Sequence, residues 1–231
     1  MTTLADLADR CQTTLSDTAA GTWSQDVVEE WVVDGIRDYS QRFPRTDTIS
    51  ITFSGASPGH AHEISTDVIA LVLVEFPGDQ DPPVYLKRRP RTHSQFYEHE
   101  GYYDYQVTND ATEYAMLYLS EEPADGDKVY ITYLCHHDVT LLSGDDLTVP
   151  VTHEGIIELY VIWQAFKERM SAEEQDPDKS LAGNVTLLQQ LVKGAKQAEE
   201  EYRRALERAQ EARSQGGITG PWTVDDDDRI Y

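Results

Sequence analysis

From Thr22 to Pro44 the chain spells out one amphipathic helix, and this segment constrains the fold more than any other. Val28, Trp31, Val32, Gly35, Ile36, Tyr39 and Phe43 recur at three- and four-residue steps, which places them on one apolar face. Ser24 stands where an N-cap is needed. Gln25 and Asp26 follow in the first turn, where the helix dipole favours an acid. Pro44 cannot continue the helix and biases Phe43 away from helical angles. A shorter amphipathic stretch, Leu4 to Leu15, precedes it across an Ala-Ala-Gly-Thr loop. The two segments make a helical hairpin whose apolar faces need something to pack on. Nothing in the pair carries chemistry, so the chain reads first as a part of an assembly.

Residues 46–135 follow another period. Ile49, Ile51 and Phe53 alternate with Thr and Ser, as in a half-buried strand. Val68 to Phe76 is a nearly continuous apolar run, expected as a central strand. Val84 to Lys87 follows Pro82-Pro83 and is expected at an edge. Tyr102–Val107, Tyr114–Leu119 and Val129–Leu134 complete about six strands. Turn signals at Ser57-Pro-Gly, Pro77-Gly-Asp, Asn109-Asp and Asp125-Gly-Asp separate them. After Pro150 the helical period returns. Ile156, Leu159, Tyr160, Trp163 and Met170 share a face, and Ile157 and Val161 lie opposite, so a helix over 153–170 is expected to be central. A polar break at 173–180 leads into a long helix over 181–212. In it Leu181, Leu188, Ala195, Tyr202 and Ala209 repeat every seven residues, beside Val185, Val192 and Leu206. That seam is expected to pack internally.

The expected class is therefore α+β: a helical bundle from residues 1–45 and 150–213, with an inserted antiparallel β-sandwich or barrel at 46–149 and a flexible tail at 214–231. With 39% hydrophobic residues among 231, such a chain can bury a core. No run approaches the roughly 18 apolar residues of a membrane span, and no basic region followed by an apolar segment opens the chain as a secretory leader would. Cys11 and Cys135 are expected as two buried, reduced thiols.

Charge narrows the function. Nineteen Lys and Arg against 42 Asp and Glu give −23, a surface that repels nucleic-acid phosphate. Two readings follow: a channel wall past which DNA slides without sticking, or adaptation to high salt. The 23 Asp and only 6 Lys favour the second, and the two are compatible.

The order Leu-x-Asp-Leu…Trp-Ser-x-Asp-x-Val…Trp-x-x-Asp-x-Ile-x-x-Tyr-Ser-x-x-Phe-Pro, over residues 4–44, resembles the N-terminal helices of head–tail adaptor (connector) proteins of tailed viruses. The motif covers about a fifth of the chain, and the sequence of helices, β-rich insert and C-terminal helices matches beyond it. The resemblance implies a homo-oligomeric ring, a dodecamer, in the neck of a virion assembled in the host cytoplasm. The ring would sit under a portal protein, join the next tail or neck protein, and let DNA pass without specific binding. It implies no enzyme activity, no cofactor and no membrane. The alternative is a β-domain binding module on a helical base.

Two segments are candidate partner contacts. Arg88, Arg89 and Arg91 form the basic cluster of the β region, suited to an acidic neighbour or to DNA. The plainer reading of 88–100 is a solvated loop with a short helix. In the tail, Ile218, Trp222, Val224, Ile230 and Tyr231 surround Asp225 to Asp228, a pattern of apolar anchors suited to gripping a partner. His60-x-His62 on a strand would place two rings on one face, but a zinc site needs more ligands. His136-His137 would face opposite ways, His153-Glu154 lacks the spacing of a metalloprotease helix, and the four aspartates lack the Gly and Glu of a calcium loop. No metal, catalytic or cofactor site is expected.

Overall fold

The computed structural model describes residues 2–15, 22–54, 59–64, 68–108, 114–175 and 181–215. Among them the elements run α1 (Leu4–Thr14), α2 (Gln25–Arg42), β1 (Arg45–Thr52), β2 (Ala61–Ile64), β3 (Val68–Glu75), β4 (Lys87–Arg88), β5 (Tyr102–Thr108), β6 (Tyr114–Leu119), β7 (Lys128–Cys135), a 3₁₀ turn at Val151–His153, α3 (Glu154–Gln175) and α4 (Leu181–Gln215). The chain is α+β. Its strands form two antiparallel-rich sheets rather than a closed barrel, so the barrel alternative falls. The chain divides into two compact units, Met1–Phe43 with His137–Tyr231, and Pro44–His136. No helix of the described residues is long and apolar enough to cross a membrane.

In the helical unit each of the first two helices begins on a side-chain cap. The Thr3 hydroxyl accepts the Asp6 N–H at 3.2 Å and the Asp6 carboxylate accepts the Thr3 N–H at 3.1 Å, a reciprocal pair that satisfies two otherwise orphaned donors. The Ser24 hydroxyl accepts the Val27 N–H at 3.4 Å. All seven residues of the periodic face on α2 and its end, Val28 through Phe43, are buried. Trp31 meets Trp23 edge-on at 5.7 Å between ring centres. The expected centrality of α3 follows from its contacts with α1, α2 and α4. Its Ile157, Val161 and Ala165 are almost wholly buried. Two glycines permit the closest approaches. A Cβ on Gly35 would stand 3.0 Å from the Tyr160 ring, and one on Gly194 would stand 2.7 Å from the Phe166 ring. On α4, Leu191, Ala195, Ala198, Tyr202 and Leu206 are buried. The seam therefore packs internally there, while Val192 of the second row stays exposed.

The β period ends at Cys135 as its spacing implies, but the strand unit ends at His136, short of the residue 149 expected for the insert. Residues 137–149 belong to the helical unit, because their backbone bonds to the start of α1. Leu4 N–H donates to Asp145 O at 3.1 Å, Ala5 N–H to Ser143 O at 2.9 Å and Leu147 N–H to Thr2 O at 2.9 Å.

In the strand unit one sheet has the order β1-β7-β3 and the other β2-β6-β5-β4. The register sets Ile49 opposite Ile131 and Tyr103 opposite Leu119, and one apolar cluster draws on both sheets through Val74, Leu117, Leu119, Val129 and Ile131. The run Val68–Glu75 is not central by order, since β7 holds that place. Its outer edge is nevertheless occupied. Phe76 N–H donates to Val84 O at 3.0 Å and Leu86 N–H to Val74 O at 2.8 Å, after which Lys87 N–H turns to Gly101 O of the other sheet at 2.9 Å. Residues 84–88 thus lace the two sheets along one side. Cys11 and Cys135 are buried free thiols, one in each unit, and burial pushes the Cys11 thiol up to about 12.

Candidate functional site: an arginine–tyrosine surface

Strand β4 is only two residues long, yet it fixes the basic cluster. It runs parallel to β5, with Lys87 beside Tyr102 and Arg88 beside Tyr103, and Arg89 N–H donates to Tyr103 O at 2.8 Å. This register brings three guanidinium groups over three phenol rings. Arg88 lies 4.3 Å from the centre of Tyr105, Arg89 4.2 Å from Tyr102 and Arg91 4.2 Å from Tyr118. Asp104 ties the set together. One of its oxygens accepts the Arg91 backbone N–H at 2.9 Å, while the other accepts the Tyr105 N–H at 2.9 Å and lies 4.0 Å from Arg88 Nε. The Arg91 guanidinium also donates to Gln106 Oε1 at 3.1 Å.

The segment that follows is a set of turns, not the short helix expected within 88–100. His93 N–H donates to Pro90 O and Phe96 N–H to His93 O, and the fully buried Phe96 anchors the loop. Tyr97 remains exposed and meets both Phe96 and His60 edge-on. Burial holds Tyr103, on the core side of β5, above the usual phenol range.

A guanidinium flat on a ring keeps its donors in the plane of the fork, where a carboxylate or phosphate is met bidentately. Each stacked pair at an exposed site contributes about 0.5–1 kcal/mol and holds a side chain that otherwise loses rotamer freedom on binding. The chemistry on offer is recognition of an anion. Four of the six Lys and Arg within residues 44–136 fall at 87–91, so the positive charge of this acidic unit is concentrated here.

The histidines singled out in the sequence make contacts of their own. His60 precedes β2, with Nδ1 3.0 Å from Leu119 O, and His62 packs on Phe53 at 4.4 Å between ring centres. Burial holds His62 below the usual imidazole range. Among the described residues no group of three or more His, Cys, Asp or Glu is arranged to hold a metal ion. His136 is exposed, whereas His137 is buried in the helical unit, with Nε2 3.1 Å from Phe43 O and Nδ1 3.0 Å from the Thr148 hydroxyl. Ile218, Trp222, Val224, Ile230, Tyr231 and the four aspartates lie outside the described residues.

The helical unit holds further polar groups. Glu154, almost wholly buried, accepts from Arg10 at 2.6 Å, and Glu158 lies 3.2 Å from the same guanidinium. The Tyr39 hydroxyl bonds His153 Nδ1 at 2.6 Å, and Tyr202 donates to Asp38. Burial raises Tyr39 to about 12 and lowers His153, so burial favours the neutral form of both partners. A groove of about 640 Å³ runs along α4 past Leu188, Val192, Lys193, Lys196 and Glu200. No protein-family model matches the chain, and no curated protein matches it.

Proposed function

We propose that this chain is a non-enzymatic head–tail adaptor, a ring-forming subunit that sits under the portal of a tailed virus and joins capsid to tail. The observation that carries the reading is the hairpin of α1 and α2. The apolar residues behind the resemblance, Leu4, Leu7, Val28, Trp31, Ile36, Tyr39 and Phe43, all lie in the apolar core of the helical unit, and Trp23 packs against it. In this reading the four helices form a bundle around which subunits repeat, and the two sheets are the faces of a β-sandwich inserted between α2 and α3. The helices of the repeated subunits line the DNA channel. The charge of −23 favours passage of DNA without adhesion.

The test is to co-express the full chain with the portal protein of the same virus and weigh the product by native mass spectrometry. The expected result is a complex with equal numbers of both subunits, a dodecamer of each. Two folded proteins that fail to associate at both low and molar salt would overturn the reading. The exposed arginine–tyrosine surface favours the second reading, a binding module on a helical base. That reading predicts ligand capture by the isolated chain with no association with the portal.

A further inference from the structure

We propose that the arginine–tyrosine surface is the receptor for the acidic tail of a second copy of this chain, with Asp225 to Asp228 lying across Arg88, Arg89 and Arg91. The inference rests on the reading of the chain as an assembling subunit and names the contact that would link neighbours.

Charge is the first argument. Asp225–Asp228 is the longest acidic run in the chain, and Lys87, Arg88, Arg89 and Arg91 are its densest basic run. The three arginines are already oriented by their rings, so a carboxylate meets prearranged forks rather than mobile side chains. Asp104 bonds Arg91 through the backbone N–H, and Gln106 takes one side-chain donor; a guanidinium has five.

The apolar surroundings supply the second argument. Val84 and Tyr85, just before the basic run, and Tyr97, in the loop after it, are 42%, 51% and 53% exposed, among the large apolar side chains so exposed in the described residues. The tail has matching order, with Trp222 and Val224 before its aspartates and Ile230 and Tyr231 after them. An acidic centre with apolar flanks suits a cationic centre with apolar flanks. Duplex DNA fits less well. A long polyanion brings many phosphates to a chain of net charge −23, whereas the tail brings four aspartates beside Arg229 and carries its own apolar anchors.

The experiment uses the full chain with Trp222→p-benzoylphenylalanine as a photo-crosslinker, mixing copies of natural isotope content with heavy-isotope copies. After irradiation, mass spectrometry should find crosslinked peptides joining a light tail to heavy residues 84–106. Converting Asp225 to Asp228 to Asn changes none of the described residues and should reduce the yield about tenfold, as should Arg88→Ala, Arg89→Ala and Arg91→Ala together. Reversing both sides, with lysines in the tail and glutamates on the strand, should restore it. Crosslinks that map elsewhere, or that join a tail only to its own chain, would overturn the proposal. So would an Asn tail that crosslinks as well as the parent, or a DNA duplex that binds the parent and not the triple arginine variant. The portal takes no part in this measurement, so its failure is distinguishable from failure of ring assembly.

Discussion

The two units treat their polar side chains in opposite ways. In the helical unit they close on one another inside: Arg10 on Glu154, Tyr39 on His153, Tyr202 on Asp38, and His137 between a carbonyl and a hydroxyl. In the strand unit the core cluster is apolar from Phe53 to Cys135, and the notable polar set, Arg88 to Arg91 over its tyrosines, lies on the surface. A buried pair fixes geometry because either partner alone leaves an uncompensated group. A stacked surface cation has its orientation fixed while its donors stay available. The first unit therefore has the character of a scaffold and the second that of a display.

This contrast can be broken by mutation. Trp31→Ala removes a ring only 8% exposed from the centre of the scaffold and should cost roughly 3–5 kcal/mol in denaturant unfolding. An unchanged midpoint would mean that the α2 face does not hold the unit together. Arg10→Met leaves the Glu154 carboxylate buried without its cation. The arginine is half-exposed, which moderates the loss to about 2 kcal/mol, and Arg10→Met with Glu154→Gln should recover much of it.

A pH series gives a smaller effect. Burial, with a lesser contribution from Arg213, holds the folded His153 below its ordinary value of 6.5, so the unfolded chain takes up the proton first. The contribution of His153 is thus fully present above pH 6.5 and is lost as pH falls from there through its lower folded value. His153→Gln should flatten the difference in melting temperature between pH 7.5 and 5.5, about one unit either side of that value. Equal slopes in parent and variant would contradict this. The smallest effect is expected at the display. Arg88→Ala, Arg89→Ala and Arg91→Ala should each change stability by about 0.5–1 kcal/mol at most, as exposed cation–π pairs do. A loss of several kcal/mol would make the arginines part of the scaffold and erase the contrast.

The helical unit was largely legible from spacing, because an apolar face at three- and four-residue steps has one good solution. Ser24 and the burial from Val28 to Phe43 follow directly. The segment 137–149 was not legible. It bonds to α1 through backbone groups, which leave no side-chain period, and Pro150 offered a more obvious but mistaken boundary. Strand β2, Ala-His-Glu-Ile, is short and polar; the sequence marks it as a strand only for its histidines, not among the six expected, and it pairs with β6. The three arginines were visible as a cluster. Their tyrosines lie between 13 and 27 residues further on, by subtraction of Arg89 from Tyr102 and Arg91 from Tyr118, and only the β4–β5 and β5–β6 registers bring them together.

The most direct test of the scaffold and display account, and of the proposed adaptor role, is averaged electron microscopy of the full chain mixed with the portal protein proposed as its partner. The account predicts a closed ring under the portal, with the α1–α2 hairpins toward the channel and with Arg88, Arg89 and Arg91 of each copy meeting density from an adjacent copy. A ring whose arginines face no neighbouring copy, or no ring on a portal that is itself intact, would contradict it.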